Sequence, residues 1–270
     1  MSSFKVATVQ LNSKPDVAHN MNVIYPFVQQ AAARGVQLIG LPENFAFLGN
    51  NREMVNQAPW ISETVMLRIA EWAREFGVYI IAGGFPVPAG DEKVYNRAAL
   101  FDPNGDVIAT YDKIHLFDVT ISESESYRES AIMRPGEQSV TVCNVEGLAK
   151  IGLSICYDVR FPVLYRKMMN QGAELLSVTS AFTQTTGKAH WEVLLRARAI
   201  ENTSYLMAPA QTGIHDKNLE TYGHAMIIDP WGKVLADAGK EPGFITANID
   251  LNYLNEIREK LPSLKHRVFE

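Results

Sequence analysis

A cysteine, Cys156, stands in the word SICYDVRFP (154–162), directly behind the apolar run KIGLS. A thiol that ends a buried strand is placed as a nucleophile is placed, at the carboxyl end where α/β sites gather. Tyr157, Asp158 and Arg160 follow at once, and Pro162 suits the first turn of a helix. The strand is therefore expected to stop at the thiol, with the positive end of the next helix nearby. Attack on a carbonyl needs more: a base, a cation for the oxyanion and a backbone donor. Glu43, in LPEN, follows the apolar run LIGL. A carboxylate there is either paired or held dry with its pKa lifted toward the working pH, which suits a base. Lys113, in YDKIHLFD, follows a strand and can hold an oxyanion while lowering the pKa of a thiol.

Each of these residues also has a plain reading. Glu43 fits a salt-bridged strand end, Lys113 a surface lysine, and Cys156 an inert core thiol. Glu129 is the most notable acid of the loop TISESESYRESAIMRPGE (120–137), a charge-rich stretch of the kind that is usually solvated. The other cysteine, Cys143, sits in VTVCNV without charged neighbours and reads as structural. A different enzyme reading pairs Cys156 with His115, His190 or His224, although no spacing demands it.

The elements that must position these residues follow from periodicity. Short apolar runs, VATVQL (6–11), VQLIGL (36–41) and VYIIAGG (78–84), alternate with segments of helical period near 18–34 and 63–76, which is α/β patterning. Gly35, Gly77 and Gly172 stand where a helix should stop before a β-rich run. His190 and Trp191 are expected to begin a further helix, with Glu192 and Arg196 at i,i+4 spacing.

The chain also repeats itself. LFDPNGDVIA (100–109) and IIDPWGKVLA (227–236) both read as strand, turn, strand. ARGVQLIGLPENFAF (33–47) resembles NQGAELLSVTSAFTQ (170–184), and FKVATVQLN (4–12) resembles AKIGLSICYD (149–158). Three matched segments in one order imply two related βαβαββ halves. No Pro-, Gly- or Ser-rich linker separates them, so residues 1–270 are expected to form one domain, a four-layer αββα sandwich.

Composition narrows the partners. A net charge of −5 with acids and bases interspersed argues against nucleic acid or an anionic membrane, and favours a small molecule or a second copy of the chain. Two cysteines cannot form a disulfide scaffold, and MSSFKVATVQL lacks the pattern of a signal peptide, so a cytoplasmic home is expected. No pair of His or Cys falls at metal-ligand spacing and no GxGxxG follows a strand, so neither a metal nor a cofactor is expected.

Glu43 in LPEN, Lys113 in DKIHLFD and Cys156 in ICYDVRFP, in that order, resemble the Glu-Lys-Cys triad of the nitrilase superfamily of carbon-nitrogen hydrolases. The resemblance covers nearly the whole chain and implies the αββα sandwich. It also implies Glu43 as base, Lys113 as oxyanion cation, Glu129 as the second glutamate and the Tyr157 N–H as backbone donor. SAFTQTTGKAHWEVLLRARAIEN (180–202), YGHAMIIDPWGKVLA (222–236) and IDLNYLNEIREKLPSLKHR (249–267) are similar to the superfamily's omega-amidase-like branch. That branch implies a homodimeric amidase acting on an amide of a 2-oxo dicarboxylate, deaminated glutathione ahead of 2-oxoglutaramate. Arg160 is the candidate for the oxo-acid carboxylate, and Phe182 and Thr186 for the pocket wall. One departure stands out: residues 120–131 read TISESESYRESA, where relatives often carry a Pro-Gly pair before the Glu-Ser dipeptide. A non-catalytic binding protein on the same frame is the remaining class, and the intact Glu43, Lys113 and Cys156 count against it.

Overall fold

The computed structural model describes residues 3–123, 125–216 and 219–269; Ser124, inside the departing loop, lies outside the described residues, as do the two ends of the expected 1–270 domain. The first half comprises β1 (Ser3–Leu11), α1 (Val17–Ala33), β2 (Leu38–Gly40), α2 (Asn51–Phe76), β3 (Tyr79–Gly90), β4 (Lys93–Phe101) and β5 (Val107–Asp112). A small hairpin, β6 (Asp118–Thr120) with β7 (Ser126–Arg128), stands between the halves. The second half comprises β8 (Thr141–Asn144), β9 (Lys150–Ile155), α3 (Pro162–Asn170), β10 (Leu175–Thr179), α4 (Gln184–Asn202) and β11 (Tyr205–Ala208). It continues through β12 (Ala210–Asp216), β13 (Leu219–Tyr222), β14 (Met226–Ile228) and β15 (Val234–Asp237), and ends with β16 (Gly243–Asp250) and α5 (Leu251–Lys260).

One sheet runs β13-β12-β1-β2-β3-β4-β5, with β16 also paired to β1; the other runs β15-β14-β11-β10-β9-β8. In each, three parallel strands are completed by an antiparallel hairpin: β1, β2, β3 with β4 and β5, and β9, β10, β11 with β14 and β15. The echo in the sequence is thus a duplication of fold. The two hairpin turns use the same chemistry. Asp102 Oδ1 accepts from the N–H groups of Asn104 and Asp106, both at 2.9 Å, and Asp229 Oδ1 accepts from Trp231 and Lys233, both at 2.9 Å.

Strand alternation sorts the core into layers. Val6, Leu38, Ile81, Ala98 and Leu100 face the other sheet, packed with Ile151, Leu153 and Leu175. Their neighbours Ala7, Ile39, Ile80, Ala99 and Phe101 face α1 and α2 with Ile24, Val28, Val65 and Ile69. The result is helices, sheet, sheet, helices, as the repeat implied.

Two boundaries differ from those the sequence suggested. The helix expected from residue 63 begins at Asn51, capped by Asn50, whose side chain accepts from the Arg52 and Glu53 N–H groups. Pro59 reads as a breaker because it cannot donate to the preceding turn, yet Met54, Ala58 and Ile61 carry the buried stripe straight through it. His190 and Trp191 lie in the middle of α4 rather than at its start, since Thr183 caps that helix. Gly35, Gly77 and Gly172 do follow their helices in left-handed backbone, with φ of 74°, 64° and 82°. Among the described residues no helix is long and apolar enough to cross a membrane.

Candidate active site

Three strand ends converge on one point. Glu43 lies just beyond β2, Lys113 directly follows β5, and Cys156 directly follows β9. All three are withdrawn from solvent, at 3%, 2% and 8% exposure. Lys113 Nζ donates to Glu43 Oε1 at 3.2 Å and to both oxygens of Glu129 at 2.8 Å, so one ammonium is clamped between two carboxylates. Glu129 is fixed in turn by the Phe117 N–H, which donates to its Oε2. The loop acid that composition would leave in solvent is therefore part of the buried cluster.

Glu43 is held from every side. Its Oε1 also accepts from Asn96 Nδ2 at 2.8 Å, and its Oε2 accepts from the Ala181 backbone N–H at 2.8 Å. The Cys156 thiol lies against this carboxylate and the same Ala181 N–H. Neither Asn96 nor Ala181 is singled out by the sequence. Asn96 had one signal, a polar residue at an inward position of β4 between Val94 and Ala98. Its placement depends on Gly84: a Cβ there would lie 2.1 Å from Asn96 Oδ1 and 3.1 Å from Glu43 Cγ, so only glycine lets the strand pass behind the base.

Electrostatics set the resting protonation. Burial pushes the Cys156 thiol well up, the Glu43 carboxylate pushes it further, and Lys113 with the Ala181 N–H only partly opposes them. The resting sulfur is a neutral thiol. Burial works against the charge on Lys113, but Glu129 and then Glu43 outweigh it and hold the ammonium well above its ordinary value. A fixed cation and a thiol that gives up its proton only to a base suit attack in which proton transfer accompanies bond formation.

A second buried acid ties the two sheets at this point. Asp158 is fully buried; its Oδ2 accepts from the Ile155 N–H at 3.0 Å and from Tyr111 Oη at 2.8 Å. Its Oδ1 accepts from the His115 N–H at 3.2 Å and faces His115 Nδ1 at 2.7 Å. The residue before Cys156 and the residues flanking Lys113 are thus bound to one carboxylate. Cys156 itself adopts φ 50°, an unfavourable backbone for a non-glycine residue, costing on the order of 1–3 kcal/mol. The strain turns the chain sharply from β9 into the 3₁₀ turn Cys156–Arg160 and presents the sulfur at the strand's tip. The expected helix start at Pro162 follows that turn.

The thiol opens onto a cavity of about 430 Å³. Glu43, Lys113, Glu129, Cys156, Tyr157, Phe182 and Thr186 all line it, so the structure gathers seven of the eight residues singled out in the sequence. Arg160 is the exception. Its guanidinium lies over the rings of Tyr157 and Phe182, at 5.6 and 5.3 Å, and meets His190 Nδ1 at 3.3 Å, one layer behind the wall. Arg160 makes no ion pair with Asp158, which is taken by Tyr111 and His115.

The histidine alternatives do not reach the thiol. His115 is stacked on Phe161 and bound to Asp158, His190 meets Arg160, and His224 pairs with Asp237; none of them lines the cavity. His215 does line it, but its ring nitrogens meet Ser13 O and Thr221 Oγ1, and burial drives its pKa down to about 4. Among the described residues no cluster of His, Cys, Asp or Glu is arranged to hold a metal.

Residues 5–259 match the family described as carbon-nitrogen hydrolase. A deaminated glutathione amidase of Synechocystis sp. is 48% identical over 271 residues, covering 100% of each chain. The crystal structure of the C. elegans NitFhit protein shares 36% identity at a TM-score of 0.94, over 99% of this chain and 66% of that one. A glutamate-to-glutamine variant of the amidase from Nesterenkonia sp. AN1 matches at 29% identity and TM-score 0.82, over 96% of this chain and 95% of that one. That structure carries the acetamide moiety of fluoroacetamide covalently added at its active site cysteine.

Proposed function

The chain belongs to the carbon-nitrogen hydrolase family and is an amidase; we propose that its substrate is deaminated glutathione, cleaved to 2-oxoglutarate and cysteinylglycine through a thioester on Cys156. The observation that carries the mechanism is the contact of one neutral thiol with one carboxylate, beside a clamped ammonium, on the floor of a cavity. The relative from Synechocystis, alike along its full length, supports the substrate.

Glu43 takes the thiol proton as sulfur attacks the amide carbon. The carbonyl oxygen gains negative charge between the Lys113 ammonium and the Tyr157 N–H, which stands in the first turn of the 3₁₀ segment, where a backbone donor has no partner within the turn. Glu43 passes its proton to the nitrogen as the C–N bond breaks, and cysteinylglycine leaves. It then removes a proton from water, whose oxygen attacks the thioester; sulfur departs and recovers the proton from Glu43. Glu129 holds Lys113 in place and transfers no proton, since both its oxygens face the ammonium. Phe182 and Thr186 bound the acyl pocket. Arg160, behind that wall, brings positive charge to the oxo-acid carboxylate.

The same reading covers the assembly and setting. Val193, Ile200 and Trp231 are exposed at 69%, 44% and 59%, and Arg196 Nε binds Gly232 O at 2.8 Å, so α4 and the β14–β15 turn present one apolar face suited to a second copy. Two free cysteines suit a reducing cytoplasm. Residues 1–270 act as one domain. The test is the specificity constant of the purified protein for deaminated glutathione and for 2-oxoglutaramate: the first is expected to be clearly larger, and a clear preference for the second reverses the assignment.

A further inference from the structure

The cavity has a cation that the mechanism does not use. Of the lining residues, Lys113 is committed to Glu43 and Glu129, and His215 is held neutral by burial. Among the described residues Arg128, at the end of β7, is the remaining cationic side chain of the wall, and it is solvent-exposed. Among the described residues no carboxylate lies within ion-pair distance of it. Its cross-strand neighbour Asp118 accepts from the Ser130 N–H at 2.9 Å, which with the more distant Arg128 charge holds its carboxyl below the ordinary value.

The guanidinium is nevertheless held in place. Nη1 donates to Val119 O at 3.1 Å and to Tyr127 O at 2.9 Å, while Nη2 donates to Thr120 Oγ1 at 3.1 Å. Of the five N–H donors of an arginine these contacts use three, leaving the number that a carboxylate takes from a guanidinium in a bidentate contact. The hairpin that carries it is fastened at both ends. Glu129 grips Lys113, and Glu125 accepts from Thr185 Oγ1 at 2.9 Å on α4 and from Tyr127 Oη at 3.2 Å. Arg128 is thus a pre-ordered positive charge at the solvent side of a site whose chemistry lies at its buried floor.

We propose that Arg128 binds the carboxylate of the leaving peptide, the glycine end of cysteinylglycine, and so separates deaminated glutathione from 2-oxoglutaramate, which has no such group. This deepens the substrate reading above and rests on it. The leaving group must depart toward solvent, and an extended dipeptide reaches about 7 Å from the scissile nitrogen, which carries its carboxylate away from the buried floor toward the exposed edge of the cavity. The acyl side of the two substrates is the same, so a cation on the leaving side discriminates between them.

Three amides test this with wild-type protein and Arg128→Ala: deaminated glutathione, its analogue with the glycine carboxylate converted to an amide, and 2-oxoglutaramate. Loss of a charge-assisted bidentate contact is expected to raise KM for deaminated glutathione about tenfold or more. The wild type should show the same penalty on the amidated analogue, and Arg128→Ala should no longer tell the two apart. Turnover of 2-oxoglutaramate should be unchanged, which also reports that the hairpin still delivers Glu129 to Lys113. An unchanged KM for deaminated glutathione, or an equal rise for 2-oxoglutaramate, overturns the inference while leaving the substrate reading intact. Wild-type protein that fails to cleave deaminated glutathione overturns both.

Discussion

Beyond β2 the first half places Glu43; at the matching position beyond β10 the second half places Ser180, whose hydroxyl turns back to Val178 O at 3.3 Å. After β9 stands Cys156, and at the matching position of β1 stands Leu11, buried among apolar neighbours of α1. After β5 comes Lys113, buried between two acids; after β15 comes Lys240, exposed at a second cavity beside Asn12 and Thr212. A duplicated frame thus has two equivalent places where strand ends meet, and only one carries a nucleophile, a base and a clamped cation. Strand β12, the counterpart of the outer part of β3, accounts for part of the difference, because it leaves its own half's sheet and pairs with β1. Ala210 pairs with Gln10 and with Ser180, covering the strand ends at the second place, whereas the first stays open to a cavity. The comparison separates what the frame provides from what the site requires. Convergent strand ends come with the fold, while catalysis needs particular residues and an uncovered approach.

The sharpest way to break that contrast is at the base. Glu43→Gln should lower kcat by about 100 to 10,000-fold, the range for a lost general base. It should also shift the thiol in a direction set by charge. Burial raises the Cys156 pKa first and Glu43 raises it further, while Lys113 lowers it. Removing the carboxylate's charge and keeping the lysine therefore lowers the thiol pKa, and the midpoint of iodoacetamide alkylation against pH should move down. A midpoint that stays or rises contradicts the assignment of Glu43 as the group against the sulfur.

Next in size, Lys113→Ala should cost about 100 to 1,000-fold in kcat, as the loss of one oxyanion donor does. Stability should fall as well, by about 3–5 kcal/mol, because Glu43 and Glu129 are left buried without their cation. Denaturant unfolding of the variant checks the second effect. At the equivalent position, Lys240→Ala should change kcat, KM and stability hardly at all, within about 0.5 kcal/mol for an exposed side chain. A large loss there would mean that the second place is not idle.

The parts of this site that are legible in the sequence are those that depend on local order. Cys156, Glu43 and Lys113 each follow an apolar run, and the duplicated D-P-x-G turns reveal the frame. Asn96 and the Ala181 N–H escape such a reading because they reach Glu43 only through sheet parity and the packing of one half on the other. Asp158 could be seen as a charged neighbour of the nucleophile, but not as the tie between Ile155 and His115, since its partners lie more than forty residues upstream as well as beside it. Arg160 shows the opposite failure. Proximity in sequence to the thiol suggested direct contact with substrate, and the 3₁₀ turn instead carries its guanidinium behind Tyr157 and Phe182.

The central claim is that Cys156 carries the acyl group. Wild-type protein mixed with deaminated glutathione and quenched in acid within the first turnover should show an added 2-oxoglutaryl mass on the peptide containing Cys156, with cysteinylglycine released in equal amount. Cys156→Ala should show neither the adduct nor turnover. Full amidase activity in Cys156→Ala, or an acyl group found on another residue of the wild type, contradicts the account.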